Sequence, residues 1–263
     1  MLVLLEIELE ACTAGVAAQT SGHVIHGLVF HQLHKSDPQF ATAMHDGSAS
    51  RAFSLSPLYP AGKQPGFPVR EFSEGDKVAF RIGLLEDETA HAITTAMSHA
   101  ALAKLEIGEH LYQMSALRVL QSLSMDEMQV HAADIKDFSI RFQTLTCFHA
   151  GKRFLLYPEP RLVIGSLARA WKHACVIPME QEQLNQIIEG LQIVRYELRT
   201  GMSNMTKFMI PGFCGECFYQ VDRSLERIHR EALRKLLRLL PFTGIGYKTA
   251  MGMGQAQVSG SGE

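Results

Sequence analysis

The chain has 263 residues, 46% of them apolar and 20% charged, and a formal net charge of −2. That length fits one large domain or two small ones, and this composition builds a core without disulfide or metal staples. The near-neutral balance excludes a globally basic protein, so any contact with nucleic acid has to come from a local basic face.

The 5 cysteines are an odd number. Cys214 and Cys217 form a CxxC, but no second pair follows at zinc spacing, and reduced thiols in a cytoplasmic protein are expected. The opening "MLVLLEIELEA" is too short and too acidic for a signal peptide. No run of some 18 apolar residues is present, so no membrane partner is expected.

In chain order, Leu5 to Glu10 alternates apolar and acidic residues and predicts a half-buried strand. Gly22 to Lys35 has helical periodicity, with Val24, Ile25, Leu28, Val29 and Leu33 on one face. His23, His26, Phe30, His31 and His34 gather on the other. A second short helix, with Ser36 or Asp37 as cap and Pro38 in its first turn, runs to about His45. "DGSAS" is a turn and "RAFSLSPLYP" a strand. Val78, Phe80, Ile82 and Leu84 alternate in another strand, and a helix from Glu86 to about Leu102 leads to two short strands broken at Gly108.

Ser122 to Ala133 reads as a linker, and the pattern then restarts. Strands are predicted near Phe138–Phe148 and Arg153–Leu156, then a helix over Arg161–His173 with Trp171 in the core, then a strand near Gln192–Arg199. "TKFMIPGFCGECFYQV" predicts a hairpin about Pro211 and Gly212, on which Cys214 and Cys217 point to opposite faces. A long helix is expected from Asp222 to Leu240, with Leu225, Ile228, Ala232, Leu236 and Leu240 toward the core. A last strand carries Met251 and Met253 on one side, and the final "SGSGE" is a disordered tail. Two successive α+β units suggest two ferredoxin-like halves, residues 1–125 and 134–257, with 258–263 as the tail.

Between the last helix and last strand lies "GIGYKTAMGMG". Its Gly244, Gly246, Gly252 and Gly254 flank Lys248 and Thr249. A phosphate loop of the Walker type fails, because Tyr247 rather than glycine precedes Lys248. A Rossmann fingerprint fails too, because the helix comes before the loop instead of after it. No nucleotide cofactor is expected. Glycines still let a backbone approach a ligand closely, and successive N–H groups can form an anion nest, to which Lys248 adds charge. On the preceding helix Arg223, Arg227, Arg230, Arg234 and Arg238 are spaced by four, three, four and four, a narrow arginine stripe. Stripe and nest together describe a track for a nucleic-acid backbone.

These residues resemble the CRISPR-associated endoribonucleases of the RAMP superfamily, which cut precursor CRISPR RNA within each repeat. The hallmark is the C-terminal glycine-rich loop. "DGSASRAFSLSPL", "GDKVAFRIGLL", "FQTLTCF…YPEPRLVIGSLARAWKH" and "KFMIPGFCGECFYQV" resemble further family segments in the family's order, so the likeness covers nearly the whole chain. Leu145 stands where the family has proline. The resemblance implies two tandem ferredoxin-like (RRM-like) domains, a CRISPR repeat RNA as partner, and a monomer or homodimer acting alone or with an effector complex.

The reaction so implied needs no metal. The ribose 2′-OH attacks the adjacent phosphorus, leaving a 2′,3′-cyclic phosphate and a 5′-OH. It asks for a base, an acid and a cation. By the resemblance, His45 occupies the position of the catalytic histidine, as general base or acid, and Arg51 the position of the basic residue that offsets the phosphorane charge. His31 and His34 are candidates for the partner proton donor. The histidine pairs at helical spacing are a poor metal site, since only Asp37 and Asp46 are close by in sequence.

Overall fold

The computed structural model describes residues 1–16, 21–46, 52–69, 71–129, 135, 137–175 and 177–259, without the side chains of residues 45 and 46. In the first half the elements are β1 (Leu2–Ala11), β2 (Gly15–Val16), α1 (Gly22–Ser36), α2 (Pro38–Asp46), β3 (Phe53–Leu55), β4 (Tyr59–Pro60), β5 (Glu71–Phe72), β6 (Lys77–Leu84), α3 (Asp87–Ala100), β7 (Lys104–Ile107) and β8 (His110–Leu123). After α4 (Met125–Gln129) come β9 (Phe138–Thr146), β10 (Phe148–Ala150), β11 (Arg153–Leu155), α5 (Pro160–Ala174), α6 (Gln181–Glu189), β12 (Leu191–Asn204), β13 (Met209–Val221), α7 (Arg227–Arg238), α8 (Leu240–Thr243) and β14 (Ala256–Ser259).

The first sheet runs β3-β6-β1-β8-β7 and the second β12-β13-β9-β14, and all neighbours are antiparallel. Numbering each unit's four main strands in sequence gives the order 2-3-1-4 twice, with a helix after the first strand and another after the third. The chain is therefore α+β, with two ferredoxin-like folds in tandem.

β1 explains how the two sheets meet. Val3, Leu5, Ile7 and Leu9 point into the first core, with Ile25, Val29 and Leu33 of α1 and Ile93 and Met97 of α3. Leu2 and Leu4 point to the opposite face and join the second core, with Phe138, Phe142, Trp171, Leu236 and Phe242. Burying one such leucine contributes about 1.5–3 kcal/mol, so both residues help hold one unit to the other. Further along that face Glu6 and Glu8 take over, paired with Arg81, Arg118 and Lys77. A second seam lies at Gly83 of β6: a Cβ there would sit 2.0 Å from the Phe242 carbonyl oxygen, which also accepts from the Ser54 hydroxyl at 3.0 Å.

Several sequence expectations are corrected. The second hairpin turns at Met205–Phe208, where Thr206 takes φ 68°, and not at Pro211–Gly212. Pro211 and Gly212 pair with Met202 and Gly201 inside the ladder. Pro211 lies beyond the end of β9, where β13 has one neighbour and a missing N–H is tolerated. Gly212 instead makes room for Leu145, whose Cβ would stand 2.9 Å from an added Cβ.

The segment read as a linker contains the end of β8 and all of α4. α6 was not foreseen, because only Ile187 in its short polar sequence is fully buried. The long helix is divided: Arg223 lies in a turn closed on Asp222, α7 begins at Arg227, and Ile228 is 59% exposed. Met251 and Met253 precede the last strand and pack with Cys147, Met205 and Ile210.

Candidate nucleic-acid interface and active site

The glycine loop is folded on itself and pressed against α1. Gly244, Gly246, Gly252 and Gly254 all have positive φ (65°, 98°, 86° and 72°), and Lys248 joins them at 61°. Most of its backbone donors are committed inside the protein. Ile245 N–H reaches the Gly254 carbonyl at 2.8 Å, and Tyr247 N–H the Cys147 carbonyl at 2.8 Å. Gly254 N–H reaches the Leu145 carbonyl at 3.0 Å, and Gly246 N–H the Ser166 hydroxyl at 2.9 Å. The expected nest thus narrows to the partly exposed segment Lys248–Ala250. Leu145, where the family has proline, anchors the loop through its carbonyl and packs beneath it with its side chain.

The loop meets the start of α1 backbone to backbone. A Cβ on Gly22 would lie 2.3 Å from the Met251 carbonyl oxygen, and one on Gly252 would lie 2.7 Å from the Gly22 Cα. Only glycine at both positions permits this approach. One turn into α1, His26 Nδ1 stands 3.0 Å from the Ala250 carbonyl oxygen. A carbonyl can only accept, so Nδ1 carries the proton, and Nε2 is the basic nitrogen of the neutral ring. The ring packs on Phe30 (centroids 4.6 Å apart) and stacks on Phe53 (6.1 Å, 10° between planes). His23 Nε2 lies 2.8 Å from the Thr206 hydroxyl at the tip of the β12–β13 turn. Helix start, glycine loop and hairpin tip therefore converge. Beside them a cavity of about 380 Å³ opens between the units, lined by Gly22, Pro57, Phe67, Arg199, Met251 and Gly252 among others.

The other candidates are distributed as follows. His45 belongs to the last turn of α2, and its side chain lies outside the described residues, as does Arg51 entirely. His31 and His34 are exposed on α1. At 100° and 1.5 Å per residue, His31 is turned about 140° from His26 and His34 lies about 12 Å further along the axis, so the loop contact reaches neither. His26 stood in the same polar group, but nothing local in the sequence distinguishes it from its neighbours; its loop partner is 224 residues away.

The arginine stripe is broken up. Arg227 pairs with Glu231 at 2.8 Å, and Arg238 donates to the Glu127 carbonyl at 2.7 Å. Arg223 and Arg230 line a cavity of about 830 Å³ that also holds Asp137, Glu189 and Asp222. Arg234 is half-buried beside these on α7.

Cys217 is buried, with its thiol pushed up to about 11 by burial, while Cys214 is partly exposed and its sulfur accepts from Arg199 Nε at 3.2 Å. Among the described residues no group of three His, Cys, Asp or Glu side chains converges as metal ligands would, and no helix is long and apolar enough to cross a membrane.

Residues 140–256 match the family model described as CRISPR-associated endoribonuclease Cas6. Curated relatives with that name are found in Streptococcus thermophilus (26% identical over 158 residues, 58% of this chain and 61% of the relative) and Mycobacterium tuberculosis (26% over 186 residues, 68% and 58%). The matches thus span about three fifths of those relatives' length. Among solved structures, Thermus thermophilus Cas6 superposes with a TM-score of 0.72 at 23% identity over 98% of both chains. A product complex of the same protein gives 0.80 at 25% identity, over 98% of this chain and 100% of that one. With the 2-3-1-4 order in both units and the glycine loop between last helix and last strand, these likenesses make the chain similar to the CRISPR-associated Cas6 endoribonucleases.

Proposed function

We propose that the chain is a metal-independent endoribonuclease that cuts CRISPR repeat RNA by 2′-OH attack. The observation that carries this reading is the His26–Ala250 contact, which docks an oriented imidazole on the glycine loop two residues from Lys248, the loop's one charged residue. In the proposed step a base takes the 2′ proton, the O2′–P bond forms, the P–O5′ bond breaks, and an acid protonates O5′. The products are a 2′,3′-cyclic phosphate and a 5′-OH, and no water is consumed. His26, through Nε2, and His45 are assigned the two proton-transfer roles, Arg51 the charge building on phosphorus, and Lys248 a flanking phosphate. Five unpaired thiols suit a reducing cytoplasm, where the transcript is made.

The test is incubation of the purified protein with the repeat RNA of its own array. Cleavage in EDTA, blocked by a 2′-deoxy nucleotide at the cut site and leaving a cyclic phosphate, is expected. Loss of activity in EDTA, or cleavage of the 2′-deoxy substrate, would overturn the mechanism. Tight binding by the wild-type protein without cleavage would make it an RNA-binding subunit of an effector complex.

A further inference from the structure

We propose that the outer face of the β10–β11 ribbon, together with Tyr247, is a stacking platform for an unpaired base of the bound RNA; this rests on the RNA-binding reading above. The ribbon belongs to neither main sheet. Its register pairs Phe148 with Leu155, His149 with Phe154 and Ala150 with Arg153. Because side chains alternate along a strand, Phe148 turns into the core while His149 and Phe154 form a cross-strand pair on the outside.

Tyr247 reaches this pair from the glycine loop. Its ring stacks on His149, with centroids 4.9 Å apart and 20° between planes, and lies 6.2 Å from Phe154. His149 and Phe154 are themselves 5.3 Å apart. Phe154 is 37% exposed, His149 is exposed and Tyr247 partly so.

The Lys248 ammonium stands 5.4 Å from the Tyr247 centroid, and the exposed Lys152 lies in the ribbon's turn, while Arg153, paired with Ala150, projects from the ribbon's other face. A three-ring surface left open to water and bordered by cations suits a nucleotide, whose base has a flat π face and whose phosphate is anionic. A peptide or lipid would not need the parallel rings. The platform's place also follows: Tyr247 directly precedes Lys248, so a base stacked here belongs to a nucleotide close to the phosphate assigned to Lys248.

The experiment uses the full-length protein and the array's repeat RNA with 2-aminopurine substituted at one unpaired position at a time. Binding is expected to quench the fluorophore at one position. Phe154→Ala and Tyr247→Leu should abolish that quenching and weaken binding roughly 5- to 150-fold, the range that stacking one base carries. Tyr247→Phe should retain both. Lys152→Ala should keep the quenching and lower the salt dependence of binding. His149→Ala, on the exposed ribbon, serves as a further ring deletion should Tyr247→Leu lose its fold. Wild-type binding that no ring deletion weakens, with no position quenched, overturns the platform and leaves the RNA reading standing. Failure of the wild-type protein to bind the RNA overturns both.

Discussion

His26 on α1 and Ala250 in the glycine loop are 3.0 Å apart across 224 residues of sequence. The loop thereby sets the orientation and the tautomer of the imidazole, and the imidazole ties the loop to the first unit. If Nε2 of that ring moves a proton in the reaction, His26→Ala lowers the cleavage rate by on the order of 10²–10⁴ while repeat binding stays within a few fold of wild type. His26→Gln separates the two duties, because its amide can still donate to the carbonyl but cannot act as a base at neutral pH. Single-turnover rates at saturating enzyme decide: a glutamine variant that cleaves normally would leave His26 as a tether and nothing more.

The Gly22–Met251 approach gives a prediction about stability. Gly22→Ala drives a methyl into a backbone oxygen 2.3 Å away, and overpacking of this kind costs about 1–3 kcal/mol. For a chain of this size that lowers the melting temperature by roughly 2–4 °C per kcal/mol. Gly27 lies on the same helix with nothing near its missing Cβ, so Gly27→Ala should raise stability by roughly 0.5–1 kcal/mol. Thermal melts of the two variants must move in opposite directions. Equal destabilisation would mean that α1 does not carry the loop as described.

Much of this arrangement was legible in the sequence wherever the signal was periodic. The alternation in β1 and β6 and the stripe of α1 gave those elements, because burial on one face imposes a period on the residues themselves. Pro211–Gly212 misled, because the usual turn dipeptide here answers to tertiary packing: Gly212 is small to admit Leu145. Ile228 fell on the apolar side of a helix whose first turn projects past the core. The glycine loop was visible as a motif, but its docking was not. That docking depends on a second glycine, Gly22, on another element, and no local pattern links the two positions. The same limit hid the difference between His26 and its neighbours on α1.

The carboxylate pair on β1 predicts the acid response. Glu8 is held down to about 2 from its ordinary 4.5, chiefly by its hydrogen bond from Arg118, then by those from Ser115 and Lys77. A carboxyl whose folded value is depressed stabilises the fold above its unfolded value, and that stabilisation fades as the pH falls toward the folded one. The stability difference between wild type and Glu8→Gln should therefore be full above about pH 5 and shrink steadily toward pH 2. Urea unfolding of both proteins across that range reads it directly. A difference that does not change with pH would show that Glu8 is not ionised in this network.

Lys248 and Arg227 should differ in how they meet RNA, although both were expected on one track. Arg227 is bonded to Glu231 in an i,i+4 pair on α7, so releasing it to a phosphate exchanges one anion for another. Lys248 is held left-handed at the loop's partly exposed segment, its ammonium over the Tyr247 ring. A ring face exacts little when the charge turns to a phosphate. Deleting one cation that neutralises a phosphate reduces the slope of log affinity against log salt by about 1. Lys248→Ala should show that reduction with the repeat RNA, and Arg227→Ala should leave the slope near its wild-type value. The reverse ranking would move the proposed backbone track from the glycine loop onto α7, and with it the proposed site of cleavage.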